Sequence, residues 1–322
     1  MAATQTLDDV RKLIERYSNW GRWGADDEKG TLNFLTAEDV VRATRLVADG
    51  TAISLAVPFD EKGPQTGGFN RFNPIHLMTR DGSDAISGAL ARDFYAGKGP
   101  HFGAADDLVI MPLQCGTQWD ALAHIIFEGK IYNGFSADLV SSKGAHRGAV
   151  TNATERMMGR GVLLDLPRSM GVEALDPGYA ITADDLTACA DQQGVAVGRG
   201  DFVMVRTGRM VSVKSQGWGD YCGGSCPGIG LDAVPWIADH EITALATDTW
   251  GMEVLPNETT DLFQPLHVVL IVHMGLWVGE IFDFESLAPQ CAARGRYEFL
   301  FYAPPLPISM AVASPINPIA VL

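Results

Sequence analysis

Apolar residues recur along the chain with two different periods. Where they return at helical spacing, as in LDDVRKLIERY, or follow an N-cap residue such as Thr36 or Thr182, they predict helices over residues 7–17, about 36–47, 183–193 and 231–239. Short continuous runs flanked by Gly or Asp predict strands over residues 51–59, 107–114, 160–166, 200–208, 242–249 and the start of 296–308. Strands that alternate with helices indicate an α/β protein.

The chain shows no boundary between domains in its sequence. It has no internal repeat, low-complexity tract or change of composition strong enough to divide it, so we expect one domain over residues 1–322. Residues 1 to about 50 are predicted to form a helical and loop-rich extension. Residues 60–105 are rich in Gly, Asn and Asp, which predicts a long loop region of the kind that often borders a binding site.

Acidic residues outnumber basic residues and restrict the classes of partner. The 39 Asp and Glu against 24 Lys and Arg give a net charge of −15 at pH 7. A surface this negative repels phosphate backbones and anionic lipids, so we expect neither nucleic acid nor a membrane as partner. The chain begins without the apolar segment of a signal peptide, and its longest near-apolar stretch, residues 267–282, is too short to span a bilayer. We therefore expect a cytoplasmic protein that acts on a small-molecule substrate.

The cysteine pattern supports the same compartment. The five cysteines are odd in number and scattered, which argues against a disulfide framework and for a reducing environment. Cys222 and Cys226 form a Cys-x3-Cys pair. Such a pair can bind a metal, but no second pair lies nearby, and the alternative is a Gly-rich loop with two incidental thiols.

The densest cluster of polar side chains is QCGTQWDALAH, residues 114–124, which follows a predicted strand. Gln114 and Gln118 are four residues apart, as are Asp120 and His124. Because α/β folds place ligands beyond the ends of their strands, these side chains are candidates for a site. The carboxylate and the imidazole can share a divalent metal or act as a base with its orienting group. In the alternative reading, Asp120 caps a helix and His124 lies on its exposed side.

A second group of ionisable residues lies in the apolar stretch near the C-terminus. His267 opens this stretch, and Glu280 closes it. A carboxylate among so many apolar residues needs a partner, which can be a metal, a positive side chain or a proton, because an unpaired buried charge is costly. His273, between them, is expected to pack among its apolar neighbours.

Several aromatic residues are candidates for substrate contacts. Trp20, Trp23 and Trp119 can wall an aromatic pocket, although ordinary core packing is the alternative for each. Phe69 and Phe72 lie on a Gly- and Asn-rich segment, where they can cover a site or contact another subunit. Three further histidines have no partner visible in the sequence and are expected at the surface: His76, His101 and His146.

The 114–124 segment resembles the signature of the cyclase-type metal-dependent hydrolases, which include bacterial kynurenine formamidases and isatin hydrolases. Their pattern is His-x-Gly-Thr-His-x-Asp-x-Pro-x-His. The positions that match it are Gly116, Thr117, Asp120 and His124. The positions that depart from it are Gln114 and Gln118, where the family usually has histidine ligands, and Leu122, where it often has proline.

The resemblance continues along most of the chain. The segments that resemble the family, in the family's order, are residues 19–33, 200–208, 226–249 and 314–320. The resemblance implies a swivelling β/β/α fold with a mixed sheet or barrel-like core and flanking helices. It also implies a homo-oligomer, dimeric or tetrameric.

The resemblance implies the following roles at the site. A divalent ion, Mn²⁺ or Zn²⁺, is held by the set Gln114, Gln118, Asp120 and His267. Catalysis falls to His124 as proton shuttle, with Asp120 and Glu280. Because an amide oxygen is a harder and weaker ligand than imidazole, the two glutamines favour Mn²⁺ or Mg²⁺ over Zn²⁺.

Three functions remain open from the sequence. The first is hydrolysis of a cyclic amide, an N-acyl amide or a lactone by a metal-activated water. The second is a metal-independent cyclase, dehydratase or isomerase, in which Gln114 and Gln118 bind a substrate carbonyl and His124 acts as acid or base. The third is a binding protein that kept the pocket without the chemistry.

Overall fold

The structure, a computed structural model, describes residues 5–89, 92 and 102–322. The strands of this part of the chain are β1 Ala52–Ser54, β2 Ile75–Arg80, β3 Asp106–Ile110, β4 Gln118–Asp120, β5 Val140–Ser141, β6 Gly144–Ala145, β7 Met158–Asp165, β8 Ala180–Ile181, β9 Phe202–Arg206, β10 Gly228–Ile229, β11 Ala244–Thr247, β12 Trp277–Glu280, β13 Glu298–Tyr302, β14 Ala313–Pro315 and β15 Ile319–Val321. The α-helices are Leu7–Tyr17, Ala37–Thr44, Gly82–Ile86, Leu166–Met170, Ala183–Gln193, Arg209–Gln216, Val234–Asp239, Pro265–His267 and Leu287–Arg294. A π-helix, Val268–Met274, continues directly from His267.

Nine strands form one curled mixed sheet, a half-barrel with flanking helices. Its strand order is β1-β15-β13-β7-β9-β11-β12-β4-β14. Strands β7, β9, β11 and β12 are parallel, and the strands on either side of them are antiparallel. The expected α/β class with a mixed, barrel-like sheet is therefore confirmed.

Helix starts follow the local sequence closely. Thr6, Thr36 and Thr182 each accept a hydrogen bond from the backbone of an Asp three residues later, whose carboxylate binds back to the Thr backbone. This capping box satisfies two donors that the first helical turn leaves free. The predicted helices over 7–17 and 183–193 have the observed bounds, but the one from Thr36 ends at Thr44. The helix predicted over 231–239 is a 3₁₀ turn followed by the α-helix Val234–Asp239.

The strand predicted over 107–114 differs most from the structure. β3 spans Asp106–Ile110 and, within the described residues, pairs only with β2, in a two-stranded ribbon outside the main sheet. The ribbon exposes apolar side chains, including Leu108 and Val109. Pro112, which cannot donate to a ladder, follows the strand, and the chain enters the main sheet only at Gln118. The 114–124 cluster therefore contains a strand of its own, β4, rather than following a buried one.

The core lies between the sheet and the helices. Its centre includes side chains on one face of the parallel strands, such as Val162, Val203 and Leu245, all of them fully or almost fully buried. Among the described residues, no helix is long and apolar enough to cross a membrane.

Candidate active site

Strands β4 and β12 bring two parts of the site together. They are antiparallel neighbours in which Gln118 lies opposite Glu280 and Trp119 lies opposite Gly279. Because side chains alternate across a strand, Gln118, Asp120 and Glu280 share one face, and Trp119 lies on the other. Gly279 leaves room for Trp119, since a Cβ there would lie 2.7 Å from the indole ring.

The first turn of the helix at residue 265 adds His267 to this face. Its Nε2 lies 3.0 Å from Glu280 Oε1, and its Nδ1 hydrogen-bonds Glu253 Oε1. Glu253 also accepts the backbone N–H groups of Leu266 and His267, at 3.2 and 3.1 Å. A carboxylate at a helix N-terminus satisfies donors that would otherwise have no partner. Glu253 thereby fixes the orientation of the His267 ring toward Glu280.

Asp120, His267 and Glu280 form a possible divalent metal site. One ligand atom from each lies within 4.8 Å of the others, and all three residues are buried. Gln118 Nε2 donates to Glu280 Oε2 at 3.0 Å and to Asp120 Oδ1 at 3.3 Å. Two buried acceptors on this face, Gln118 Oε1 and Asp120 Oδ2, have no hydrogen-bond partner. Buried acceptors left unpaired are costly, and a cation is one partner that satisfies them.

His124 lies beside the triad, not in it. Its Nε2 is 3.8 Å from Asp120 Oδ1, and its Nδ1 is 3.4 Å from Gln114 Nε2. The structure thus places Gln114 on the far side of the imidazole, while Gln118 lies against the carboxylates. The alternative, in which Asp120 caps a helix and His124 lies on its exposed side, is wrong, because Asp120 is a strand residue and the His124 side chain is largely enclosed.

The charges in this site are set by burial. Burial raises the pKa of the Asp120 carboxyl to about 6, against the opposite pull of nearby His124. Burial lowers the pKa of His124, and Asp120 only partly offsets this. For His267, burial would also lower the pKa, but hydrogen bonds to Glu253 and Glu280 outweigh it and raise the value to about 10. His124 is therefore neutral at pH 7, and His267 carries the positive charge that a metal ion would replace.

The predicted aromatic contacts are dispersed over the molecule. Trp119 is fully buried, donates to Ala303 O and packs edge-on against Phe282 and Phe301, so it belongs to the core and does not wall a pocket. Trp20 stacks on His273, with ring centroids 4.8 Å apart.

The remaining aromatic predictions fall on two different segments. Trp23 packs edge-on against Phe34 in the N-terminal segment. Phe69 is 65% exposed and lies against Trp250, 5.8 Å between ring centroids, while Phe72 is 42% exposed. Among the described residues, no hydrogen bond or ring contact joins either Trp20 or Trp23 to the 118–124 face.

The other histidines and cysteines lie elsewhere. His76 is exposed as expected, but it lies on β2 and has a partner, Asp107 Oδ2 at 2.8 Å, because cross-strand neighbours meet on the ribbon. His146 is exposed, and His101 lies outside the described residues. Cys222 and Cys226 are both free thiols, and Cys222 donates to the carbonyl of Pro64.

His273 is buried, as expected, and packs among aromatic rings. Its burial predicts that the free energy of unfolding falls at acid pH. Burial lowers its pKa to about 4, against the smaller opposite effect of Glu128. The unfolded chain, with a His pKa near 6.5, binds the proton first, so stability is lost as the pH falls from about 6.5 to about 4. His273→Phe removes this titrating group. Between these pH values the free energy of unfolding of the variant should therefore fall less than that of the wild type, by on the order of 1–2 kcal/mol after allowance for partial solvent screening.

Denaturant unfolding at pH 7 and pH 4.5 measures this difference. The matched control is His146→Phe at an exposed site, which should follow the wild type. An equal loss of stability in wild type and His273→Phe would show that His273 is not the group responsible.

Sequence reasoning missed Glu253, which orients His267. It lies 14 residues before His267, and nothing in the local sequence links the two. A signal was nevertheless present, because Glu253 follows the carboxyl end of the parallel strand β11, the end at which open α/β sheets bind ligands. The same loop carries Trp250.

The half-barrel sheet carries a buried cluster of possible metal-binding side chains, an arrangement typical of α/β enzymes. Comparison with known proteins shows the family of the chain. The Cyclase family model, described as "Putative cyclase", matches residues 53–254. A crystal structure of a novel cyclase is 36% identical, with a TM-score of 0.84, and the match covers 96% of this chain and 99% of the other. The chain therefore belongs to the cyclase family. Family membership indicates an enzyme.

More distant structures share the fold. Isatin hydrolase A from Ralstonia solanacearum is 17% identical, with a TM-score of 0.60, over 88% of this chain and 97% of its own. A predicted metal-dependent hydrolase from Bacillus stearothermophilus is 17% identical, with a TM-score of 0.52, over 85% and 98% of the two chains. No curated protein sequence matches the chain.

Proposed function

We propose that this protein hydrolyses the carbon–nitrogen bond of a cyclic amide or N-acyl amide, or the ester bond of a lactone, with the help of a divalent ion. The observation that carries the proposal is the buried group Asp120, His267 and Glu280, with the acceptors Gln118 Oε1 and Asp120 Oδ2 left unpaired beside it. Isatin, for which one structural relative is named, is itself a cyclic amide.

The residues present fit a hard divalent cation. Two carboxylates, one imidazole and one amide side chain form the donor set, and the two unpaired acceptors belong to it. Oxygen-rich donors favour Mn²⁺ or Mg²⁺, while a single imidazole still admits Zn²⁺. When bound, such an ion polarises a carbonyl group and lowers the pKa of a water molecule.

The chain's own residues supply the proton transfers. His124 is neutral at pH 7 and lies beside Asp120, so it can take a proton from the attacking water and return it to the leaving nitrogen or oxygen. Gln114 Nε2 lies 3.4 Å from His124 Nδ1 and helps to position the ring. Glu253 holds His267 in place at Nδ1, while Nε2 faces Glu280.

One observation supports a second candidate. Gln118 Nε2 already donates to both Asp120 and Glu280, so the carboxylates are partly satisfied without a metal. In that case His124, oriented by Asp120, would act as acid or base in a metal-independent cyclisation, dehydration or isomerisation.

Metal removal separates the two candidates. Protein stripped with a chelator and then titrated with Mn²⁺ or Zn²⁺ should bind about one ion per chain, the occupancy expected of a single ligand set. Turnover of isatin, an aromatic N-acyl amide or a lactone should disappear on stripping and return with the ion. Full activity of the stripped protein on any of these compounds would favour the metal-independent candidate.

The two glutamines make a matched pair for testing the ligand set. Gln118→His should raise Zn²⁺ affinity by about 10-fold or more, because imidazole suits Zn²⁺ better than an amide oxygen does and residue 118 lies against the carboxylates. Gln114→His, beside His124, should leave Zn²⁺ affinity within about threefold, since it lies outside the triad. Equal affinities of the two variants for Zn²⁺, measured by calorimetry, would show that residue 118 is not a ligand.

A further inference from the structure

Arg71 is a half-buried arginine near the site that has no carboxylate partner. Its guanidinium carbon lies 5.7 Å from the centroid of the Trp250 ring and 5.9 Å from that of Phe69. Within the described part of the chain, its guanidinium group makes no ion pair and no hydrogen bond. Other partly buried arginines differ, since Arg160 and Arg206 each bind two carboxylates.

The loop that carries Arg71 is pinned to the start of the site. Gln65 and Asn73 close the loop with two hydrogen bonds, of 2.7 and 3.2 Å. Gln65 Nε2 also donates to the carbonyl of Cys115, at 3.0 Å. Because Cys115 follows Gln114 directly, these bonds hold Arg71 next to the 114–124 segment.

The aromatic wall behind Arg71 is tied to the other half of the site. Trp250 packs in a small buried cluster with Val57 and Ile281, and Ile281 follows Glu280 directly. The indole Nε1 of Trp250 is buried and has no hydrogen-bond partner. Arg71 is thus enclosed by two elements that both connect to the metal-ligand face, and one of them carries an unused donor.

The charge of Arg71 reaches the catalytic groups. Burial has the largest effect on the pKa of Asp120 and raises it, while Arg71 acts in the opposite direction. For His124, burial and the charge of Arg71 both lower the pKa. The hydrogen bond from Gln65 to Cys115 and the packing of Trp250 with Ile281 place the Arg71 loop and its aromatic wall beside this face.

The chemistry of this position selects one kind of ligand. A guanidinium fork pairs with a carboxylate through two parallel hydrogen bonds. The buried carboxylates Glu253 and Glu280 already face His267, and Asp120 and Glu280 belong to the proposed cation site, whereas Arg71 has no carboxylate partner in the described part of the chain and is left to pair with an anionic group of the substrate. The rings of Phe69 and Trp250 offer flat apolar surfaces beside it.

We propose that Arg71, with Phe69 and Trp250, forms a subsite for a carboxylate carried by the substrate, remote from the bond that is cleaved. This inference rests on the proposed hydrolase function and narrows it to anionic amides or lactones with a planar apolar body. Arg71 is then a specificity-determining residue, since it binds the substrate but takes no part in the proton transfers.

Matched substrates test this directly. We compare an aromatic N-acyl amide that carries a ring carboxylate with the same amide lacking it, and measure kcat/KM for each. Arg71→Met should lower the ratio of kcat/KM for the amide with the carboxylate to kcat/KM for the amide without it by about 10- to 100-fold, the loss expected for one charged hydrogen-bonded pair. Arg71→Lys, which keeps the charge but not the fork, should give an intermediate ratio. Arg45→Met, at an exposed position away from the site, should keep the wild-type ratio.

A binding measurement keeps the test independent of turnover. Benzoate should bind the wild-type protein more tightly than the Arg71→Met variant by about 10-fold or more, as judged by calorimetry. If the wild type hydrolyses neither amide but benzoate binding depends on Arg71, the hydrolase proposal fails and the carboxylate subsite stands. A wild-type kcat/KM ratio in Arg71→Met, or equal benzoate affinity in the two proteins, would overturn the subsite.

Discussion

Asp120→Asn is expected to lower turnover by about 10³-fold or more and to weaken binding of Mn²⁺ or Zn²⁺ severely. Asp120 is the residue shared by the two parts of the site, since its Oδ1 contacts both Gln118 and His124 and its Oδ2 is an unpaired buried acceptor. The amide removes the negative charge that attracts the ion and that stabilises a protonated His124. Metal content and kcat, measured on the same preparation, record the two losses together.

The control for this variant is Asp239→Asn, an exposed carboxylate at the end of the helix Val234–Asp239, which should change neither quantity. If Asp120→Asn loses activity with unchanged metal content, the ion does not bind at this face. The role of Asp120 would then be to orient His124, as the metal-independent candidate requires. Wild-type turnover in a folded Asp120→Asn protein would contradict both candidates.

His124→Ala is expected to lower kcat by about 10²- to 10⁴-fold while leaving metal affinity nearly unchanged. The imidazole is neutral at pH 7 because burial lowers its pKa, and it lies 3.8 Å from Asp120 Oδ1 without belonging to the Asp120, His267 and Glu280 triad. A residue that moves protons and does not hold the ion should separate the two measurements in this way.

His146→Ala serves as the matched control, because His146 is exposed. It should retain wild-type kcat and metal content. Circular dichroism and the unfolding midpoint establish that His124→Ala is folded. A His124→Ala variant with nearly wild-type kcat would remove His124 from the mechanism, and one that loses its metal would make His124 a ligand.

Several elements could be predicted because their causes are local. The helices Leu7–Tyr17 and Ala183–Gln193 match the predicted bounds because a Thr–Asp capping box starts each one. The polar cluster at 114–124 was also visible, since Gln118, Asp120 and His124 are near neighbours in the chain. The segment order and the Gly-Thr, Asp and His positions carried enough of the family pattern to identify the family.

Other features depend on which segments meet. An apolar run such as residues 107–110 predicts an extended strand but not its partner, and here the partner is β2 in an exposed ribbon. Trp119 was a candidate for an aromatic pocket wall, with core packing as the alternative, and alternation along β4 directs it into the core.

The site itself is assembled by long-range pairing. The β4–β12 register places Glu280 opposite Gln118, and a loop carboxylate, Glu253, turns His267 toward the same face. By spacing, Gln114 and Gln118 were equal candidates for ligands. The strand β4 separates them, because it begins at Gln118 and leaves Gln114 in the preceding turn beside His124. Capping and periodicity act over a few residues and can be read from the chain, whereas register, burial and the meeting of loops are set by packing between separate segments, which for Gln118 and Glu280 lie 162 residues apart.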